Sequence, residues 1–335
     1  MFLFKKRKNN KVVIFIHGLD NKPPKKLLKK WYLKAIEEGF SKHGYNLPHF
    51  DFEVVYWADL LYTRPLDPLI DDKQHGLYLD EPYHPSTLSG PNRESPTFKR
   101  KLLDRLEKFT DGLFLSKNSL INVEYIFDWV TSRTFRDLHV YYRKGISVNK
   151  KPEESAKKII RERLKNVLTI HQKREILLVA HSMGSIVAYD VLTFMVPEIN
   201  IHSLVTLGSP LGLPMIKREI FKEFELDYTI QTQLPTPENI QKAWHNLADP
   251  DDNVALNYNL LDDYSANSAR VAPKDILVKN DYEYEGRKNP HKSFGYLRTY
   301  ETVVILHDFL HERKPGFFEN IAKFRRSLFY GSSKA

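Results

Sequence analysis

The stretch from Glu175 to Asp190 constrains the fold more than any other part of the chain. It begins with a continuous apolar run, from Ile176 to Ala180, of the kind that forms a buried parallel strand. A serine between small residues follows at position 182, and a mainly apolar, helix-like pattern comes directly after it. The stretch therefore predicts a strand, a sharp turn and a helix, with the serine at the turn.

Residues 180–184 match the motif G-x-S-x-G, with Ala180 in place of the first glycine. The motif needs small residues because a strained turn raises the serine above the sheet while the next helix packs closely against the strand. The turn also leaves the Met183 amide at a helix start, where unpaired N–H groups favour negative charge. Ser182 is thus a candidate nucleophile and Met183 a candidate oxyanion donor. The alternative is a buried small-residue turn without any chemistry.

A second apolar run, from Val12 to Ile16, leads directly into His17 and Gly18. In hydrolases that carry such a serine turn, the loop after this strand supplies the second oxyanion amide. The N–H of Leu19 is the candidate, because Gly18 allows the backbone to approach closely. We expect His17 to orient this loop rather than to take part in chemistry.

Strand candidates and helical patterns alternate along the rest of the chain. The further strand candidates are residues 52–57, 201–207, 244–248 and 276–278, and helical patterns cover residues 25–42 and 153–170. This alternation predicts one α/β domain over residues 1–335, with a mostly parallel sheet flanked by helices. Functional groups should then cluster at the carboxyl ends of the strands.

Two later segments supply the groups that a serine nucleophile needs. The acidic loop from Asp249 to Asp252 follows a strand candidate, and His291 follows the last strand candidate after a polar turn. A serine hydroxyl alone is a poor nucleophile, so it needs a histidine base that a carboxylate orients. The order serine, aspartate, histidine fits Ser182, an aspartate within 249–252, and His291.

At these residues the sequence resembles the α/β-hydrolase superfamily, in particular its lipase-like serine esterases. The resemblance rests on four motifs: Ile16-His-Gly18, Ala180-His-Ser-Met-Gly184, Leu207-Gly-Ser-Pro-Leu-Gly212 and Asp249-Pro-Asp-Asp-Asn-Val-Ala255. The last two are most similar to intracellular phospholipases of the DDHD type and related lipases. The resemblance implies an α/β-hydrolase fold, cleavage of ester or lipid substrates through an acyl-enzyme, and no metal or organic cofactor. The sequence departs from the family in that it would start at the family's third strand.

The same resemblance implies roles for individual residues. Ser182 would be the nucleophile and His291 the base, with Leu19 and Met183 as oxyanion donors. The lipase-like pattern Asp-x-Val selects Asp252 as the acid. General superfamily spacing, with the acid three residues before a valine, selects Asp251 as the runner-up.

Residues 59–151 interrupt the alternation, and we interpret them as an inserted cap or lid. Prolines at positions 65, 68, 82, 85, 91 and 96 lie in polar loops, and helical segments near 97–116 and 118–143 follow. The second segment is unusually apolar, with Leu120, Ile121, Val123, Tyr125, Ile126, Phe127, Trp129 and Val130. It packs on the main core or, alternatively, lines an acyl-chain pocket or contacts lipid.

Composition narrows the function classes further. The chain has no cysteine, which excludes disulfides and a cysteine nucleophile, and no apolar run approaches the roughly 18 residues of a membrane span. The first fifty residues hold 12 Lys or Arg and 3 Asp or Glu, so their balance of 12 − 3 equals the net charge of +9. We expect a cytoplasmic protein without a signal peptide, whose basic amino-terminal region is solvated or, alternatively, contacts an anionic membrane. No nucleic-acid-binding module is recognisable.

Three alternatives stay open. An acyltransferase would use the same triad with another alcohol in place of water. A hydrolase-fold protein that binds lipid or a partner without catalysis would also keep these motifs. A zinc hydrolase is the third alternative, because His307 and His311 lie four residues apart on a predicted helix, although Asp308 stands where the zinc motif H-E-x-x-H has glutamate.

Overall fold

The structure is a computed structural model that describes residues 10–86, 135–142, 155–227, 232–255 and 257–312. The strands are β1 (Lys11–Ile16), β2 (Asp51–Val55), β3 (Glu175–His181), β4 (Ile201–Leu207), β5 (Leu234–Pro235), β6 (Ile240–Ala248), β7 (Tyr264–Ser265), β8 (Pro273–Leu277), β9 (Glu283–Tyr284) and β10 (Arg287–Lys288). The helices are α1 (Lys25–Lys42), α2 (Ala58–Leu61), α3 (Phe135–Tyr142), α4 (Ala156–His171), α5 (Met183–Phe194), α6 (Pro214–Glu223), α7 (Leu260–Asp263), α8 (Ser293–Leu297) and α9 (Tyr300–His311).

Six strands form the central sheet in the order β2-β1-β3-β4-β6-β8. Every neighbouring pair in this sheet is parallel, and the register places Ile14 of β1 beside Glu53 of β2 and Leu178 of β3. The predicted α/β architecture, a parallel sheet flanked by helices, is therefore confirmed. Two short pairs, β5 with β7 and β9 with β10, lie outside this sheet.

Both faces of the sheet are buried, which explains the continuous apolar runs of its strands. Side chains of β1 alternate between the two faces: Val12 and Ile14 lie in one core, and Val13 and Phe15 lie in the other. The first core contains buried side chains of α4 and α5, and the second contains those of α1 and α9. The sheet is thus the middle layer of three.

The direction in which successive strands are added to the sheet changes after β2. From β1 the chain forms β2 on one side and then crosses to β3 on the other side, so the connections diverge between β1 and β3. A crevice opens at the carboxyl ends of strands at such a switch point. Here those ends lead into Gly18 and Ser182, which places both predicted oxyanion loops at one edge of the sheet.

Three strands differ from their predicted bounds by more than one residue, and one of them is β8, which covers Pro273–Leu277 rather than 276–278. The second strand ends at Val55 rather than Trp57, because the backbone N–H of Trp57 donates to Nε2 of His17 at 3.0 Å instead of extending the ladder. The strand predicted at 244–248 begins earlier, at Ile240, where exposed Gln241 and Lys242 obscure it in the sequence.

Only part of the predicted insert at 59–151 belongs to the described residues. The segment near 97–116 and most of 118–143, including all its named apolar residues, lie outside them. Helix α3 is described, and it buries Leu138 and Tyr141 in the same core as α4 and α5. In the described ranges, no helix is both long and apolar enough to cross a bilayer.

Candidate active site

Ser182 lies at the turn between β3 and α5 with φ 55° and ψ −130°. This backbone conformation is unusual for a residue with a side chain and stores strain of about 1–3 kcal/mol. The surrounding structure holds it in place, since the Ser182 N–H donates to the Leu207 carbonyl at 2.9 Å and the N–H of Ser185 donates to the Ser182 carbonyl at 2.9 Å. The turn therefore has the strained geometry that the motif predicts.

The side chains of Ser182, His291 and Asp252 form one hydrogen-bonded chain. Nε2 of His291 lies 2.9 Å from the Ser182 hydroxyl oxygen. Nδ1 of His291 lies 2.9 Å and 3.0 Å from the two carboxylate oxygens of Asp252. Because a carboxylate accepts, Nδ1 carries the proton and donates to Asp252, which leaves Nε2 to accept from Ser182. This is the arrangement in which a histidine can act as a base toward the serine.

The three candidate aspartates of the loop after β6 have different surroundings. The Asp252 side chain is fully buried against His291, whereas the Asp251 side chain is 43% exposed and pairs with Lys279 at 3.3 Å. Asp249 is buried, and its carboxylate accepts from the N–H groups of Asp251 at 2.8 Å and Asn280 at 2.5 Å. Burial raises the pKa of Asp249 above its ordinary value. Among these aspartates the structure thus places only Asp252 beside the imidazole.

Tyr296 holds the Asp252 carboxylate, a contact that the sequence analysis missed. Its hydroxyl donates to Oδ2 of Asp252 at 2.6 Å and accepts from the N–H of Asp249 at 2.9 Å. Burial, and next the nearby Asp252 charge, raise the pKa of Tyr296 well above its usual range, so the hydroxyl keeps its proton. Asp252 also accepts from the N–H of Val254 at 2.9 Å. Three donors therefore hold this carboxylate in place: His291, Tyr296 and Val254.

Gly208 makes the space in which Asp252 meets His291. This glycine has φ +54°, and a Cβ added to it would lie 2.6 Å from Oδ2 of Asp252 and 3.0 Å from Nδ1 of His291. Glycine is the residue that adopts this conformation without strain and brings no atom into the contact. The sequence motif at Leu207–Gly212 contains this glycine, but its role becomes evident only when the distant loops come together.

The backbone of His291 is held on both sides by side chains. Its N–H donates to Oδ1 of Asn289 at 3.0 Å, and its carbonyl oxygen lies 2.7 Å from Nε2 of His181. Burial lowers the pKa of His181 well below its ordinary value, so this imidazole is neutral, and the carbonyl contact requires Nε2 to be its protonated nitrogen. His181 precedes the serine in the motif, but nothing in the sequence indicates that it reaches the loop of His291.

The two predicted oxyanion residues, Leu19 and Met183, belong to the two backbone segments next to Ser182. Met183 is the first residue of α5, so its N–H is among the amides that have no partner inside the helix. Gly18 approaches the serine so closely that an added Cβ would lie 2.6 Å from the Ser182 Cβ. The Leu19 amide follows directly after this approach. The structure therefore brings both predicted loops to the serine.

His17 orients the Leu19 loop, as expected. Its Nδ1 donates to the Gly18 carbonyl at 2.8 Å, its Nε2 accepts from the Trp57 amide, and its ring stacks on the Trp57 indole at 4.7 Å between centroids. Burial, and next the charge of Lys22, lower the pKa of His17 to about 3. The imidazole is thus neutral, and both of its nitrogens are already used in holding the loop.

A cleft of about 670 Å³ opens beside Ser182 and His291. Its apolar lining comes from the loop after β1, from α1, from residues 62–79 after α2 and from the start of α8: Leu19, Pro23, Leu28, Trp31, Tyr32, Tyr62, Leu66, Tyr78, Leu79 and Phe294. Charged side chains also border it, among them Lys22, Lys73, Glu81 and Lys292. The cleft thus offers an apolar surface and a charged rim next to the serine hydroxyl.

The zinc alternative finds no further ligands in the part of the chain that the structure describes. The rings of His307 and His311 stack at 4.1 Å between centroids, and Nδ1 of His311 donates to the His307 carbonyl at 2.9 Å. No group of three or more His, Asp or Glu side chains within the described ranges could hold a metal ion. His307 and His311 are stacked neighbours on one face of α9.

Comparison with known proteins adds one match. A search of curated proteins finds no match to this chain. Residues 154–299 match the family described as PGAP1-like alpha/beta domain, a hydrolase-like family, and this range contains Ser182, Asp252 and His291. The similarity to DDHD-type phospholipases stays a prediction. Over residues 154–299, then, the chain is similar to a PGAP1-like α/β domain, and its parallel sheet with flanking helices has the architecture of an α/β hydrolase.

Proposed function

We propose that the protein is a serine hydrolase that cleaves carboxylic esters through an acyl-enzyme, with lipase-like or phospholipase-like substrates. The observation that carries the proposal is the hydrogen-bonded chain from Ser182 through His291 to Asp252 at the strained turn after β3. A structural serine needs neither the strained backbone nor a histidine whose other nitrogen is fixed by a buried carboxylate. The hydrolase-like family match over residues 154–299 supports the same reaction class.

In the first half of the reaction, the Ser182 oxygen attacks the ester carbonyl carbon while Nε2 of His291 takes the hydroxyl proton. The carbonyl oxygen becomes an oxyanion, which the amides of Leu19 and Met183 bind; each such donor stabilises the transition state by about 3 kcal/mol. Asp252 stabilises the imidazolium that forms. The intermediate then expels the alcohol, which receives the proton from Nε2, and the acyl group stays on Ser182.

In the second half, water replaces the alcohol. Nε2 of His291 takes a proton from the water as its oxygen attacks the acyl carbon, and the same two amides bind the new oxyanion. The intermediate collapses, the Ser182 oxygen leaves with the proton from Nε2, and the carboxylic acid departs. Each proton that His291 accepts is returned within the same half of the cycle.

The lining of the cleft supports an apolar acyl group as part of the substrate. Trp31, Tyr32, Leu79 and Phe294 are among its apolar lining residues, and a volume of about 670 Å³ falls within the range of small-molecule sites. The charged rim would face the polar part of the ester. We therefore propose a substrate with one acyl chain and one polar end.

A fluorophosphonate probe and intact-protein mass spectrometry test the proposal. The parent protein should gain one probe adduct on Ser182 and hydrolyse p-nitrophenyl esters of increasing chain length. Ser182→Ala should lose the adduct and at least about 10³-fold in kcat. His291→Ala should be equally damaging, and the double variant should add little, since the two residues act as one unit.

His307→Ala provides the matched control, since this histidine lies partly exposed on α9 and contacts Asp308. It should keep activity within about twofold of the parent. Ester hydrolysis that survives Ser182→Ala within tenfold would contradict the serine mechanism. A parent that neither labels nor hydrolyses any ester would favour the non-catalytic, ligand-binding alternative.

A further inference from the structure

We infer that Glu81, a carboxylate of the insert, is a positioning residue for His291 and acts through the side chain of Asn289. This inference rests on the proposed function, because it assigns His291 the role of the base. It adds a residue that neither the triad nor the family match contains.

Glu81 accepts hydrogen bonds from residues on both sides of His291 in the sequence, Asn289 and Lys292. Its two carboxylate oxygens accept from Nδ2 of Asn289 at 2.9 Å and 2.8 Å, and Oε2 also accepts from Nζ of Lys292 at 2.9 Å. The residues thus held lie two positions before and one position after His291. Hydrogen bonds to a charged group are about twice as strong as those between neutral groups.

The charge on Glu81 persists in this setting. Burial alone would favour the neutral acid, but the charge and hydrogen bond of Lys292 and the hydrogen bond of Asn289 together lower the pKa of Glu81 below its ordinary value. The side chains of Glu81 and Lys292 are about one quarter exposed, so solvent screens the ion pair only in part. Glu81 is therefore an anion that can hold two donors at once.

Asn289 connects Glu81 to the backbone of His291 through hydrogen bonds. Its Nδ2 donates to Glu81 while its Oδ1 accepts the backbone N–H of His291 at 3.0 Å. With its amide held at one end by Glu81, Asn289 keeps its oxygen aimed at the His291 backbone. A displacement of about 1 Å in a catalytic group can cost on the order of 100-fold in rate. The hydrogen bond from the His291 N–H to Asn289 therefore affects how well the imidazole can act as the base.

The side chain of Asn280 also holds the loop that carries His291. Nδ2 of Asn280 donates to the carbonyls of Pro290 at 2.8 Å and Lys292 at 2.9 Å. If Asn280 alone fixed the loop, Glu81 could be removed without any effect on the base. The two anchors differ in origin, because Asn280 follows β8 of the central sheet whereas Glu81 belongs to the insert.

The first test compares Glu81→Ala with Glu285→Ala on a short soluble ester. Glu285 also forms an ion pair with the insert, to Lys73 at 2.8 Å, but it contacts neither Asn289 nor Lys292 in the described structure, which makes it a matched control. Glu81→Ala should lower kcat by about 10- to 100-fold with KM within about threefold of the parent. Glu285→Ala should leave both constants within about twofold.

The second test exchanges the two partners. Asn289→Asp alone should be as damaging as Glu81→Ala, because it sets one carboxylate against another. The Glu81→Gln Asn289→Asp double variant restores a donor facing an acceptor and keeps the net charge, so it should recover most of the lost kcat. A role of either residue that does not depend on their mutual hydrogen bond would not produce this recovery.

Deuterium uptake of the peptide that contains His291 gives a readout without turnover. Glu81→Ala should increase this uptake and leave the peptide that contains Ser182 unchanged. Parent-like kcat and uptake in Glu81→Ala would overturn the inference while the proposed function stands. A parent protein without esterase activity or probe labelling would instead overturn the proposed function, and with it the catalytic meaning of the Glu81 contact.

Discussion

The hydroxyl of Tyr296 donates a 2.6 Å hydrogen bond to Oδ2 of Asp252, while the backbone N–H of Asp249 donates to the same hydroxyl. Tyr296→Phe removes one donor to the carboxylate and leaves the buried Asp249 N–H without its partner. We expect a stability loss of about 1–3 kcal/mol and a kcat loss of about tenfold, because Asp252 is then held less firmly. Urea unfolding and steady-state kinetics measure the two effects.

The control for this change is Tyr264→Phe. The Tyr264 hydroxyl is also buried and donates to the Leu211 carbonyl at 3.0 Å, but it does not touch Asp252. It should show a comparable loss of stability with unchanged kcat. Equal kcat values for the two variants would show that Tyr296 does not act on the carboxylate.

The second prediction concerns the two adjacent aspartates. Asp252→Asn should keep the fold but lower kcat by about 10³- to 10⁴-fold, since an amide fixes neither the required tautomer nor the imidazolium. Asp251→Asn should cost less than about tenfold, because Asp251 is half-exposed and pairs with Lys279. Kinetics on one soluble ester decide the matter, and the reverse ranking would transfer the role of the acid to Asp251.

The third prediction uses two glycines with positive φ. Gly208→Ala and Gly286→Ala both force alanine into left-handed backbone, at a cost of about 1–2 kcal/mol. Nothing lies within 4 Å of a Cβ at Gly286, whereas a Cβ at Gly208 meets Asp252 and His291. We therefore expect Gly208→Ala to lose at least about 100-fold in kcat and Gly286→Ala to keep it. Similar kcat values would mean that the loops shift freely to admit the methyl group.

The fourth prediction is a pH dependence of stability. Burial lowers the pKa of His17 to about 3 and that of His181 well below 6.5 in the folded protein. Between pH 6.5 and those values the unfolded chain binds more protons, so the free energy of unfolding falls as the pH falls. Each of the two histidines contributes about 1.4 kcal/mol per pH unit well inside that window.

Urea unfolding between pH 7 and 5 measures this slope. His181→Gln should flatten it, because the substituted side chain does not titrate. His75→Gln, the same substitution at an exposed position, is the control for replacing a histidine. A slope that His181→Gln does not change would show that the His181 imidazole is protonated in the folded protein.

The fifth prediction concerns the basic amino-terminal region. Its first cluster, Lys5 to Lys8, lies outside the described residues, but Lys26 and Lys30 are exposed and lie four residues apart on α1. If α1 contacts anionic membranes, the Lys26→Gln Lys30→Gln double variant should bind phosphatidylserine vesicles about 30-fold more weakly, at about 1 kcal/mol per lysine.

Vesicle sedimentation measures this binding, with neutral phosphatidylcholine vesicles for comparison. Glu37→Gln, on the same helix, should not weaken it, because this change removes a negative charge. Hydrolysis of a short soluble ester should be unchanged in both variants. Vesicle binding that is insensitive to the double substitution would exclude α1 as the contact surface.

The fold was largely predictable because its determinants are local. The strands β1, β3 and β4 are short apolar runs followed by turn residues, and each pattern is contained within its own stretch of sequence. The placements of Ser182 and Met183 follow from one motif for the same reason. The match of α1 with the predicted helix at 25–42 reflects its regular apolar face and the two prolines before it.

The supports of the site were not predictable, because they are contacts between residues that are distant in the chain. The hydroxyl of Tyr296 reaches back 44 positions to Asp252, and Asn289 reaches 208 positions to Glu81. Neither contact leaves a periodicity or a motif in the sequence. Spacing also could not choose between Asp251 and Asp252, since that choice depends on which carboxylate the loop turns toward His291.

The spacing of Ser182 and His291 has a consequence for the newly made protein. The two residues are 109 positions apart, so the serine and its turn leave the ribosome long before the imidazole does. A nascent chain that ends between them carries the hydroxyl without a proton acceptor at Nε2. Under the proposed mechanism, such a chain cannot acylate itself or attack lipids around it. Under this mechanism the protein can acquire esterase activity only after its last sheet strand, β8, and the loop that carries His291 have been made and have folded.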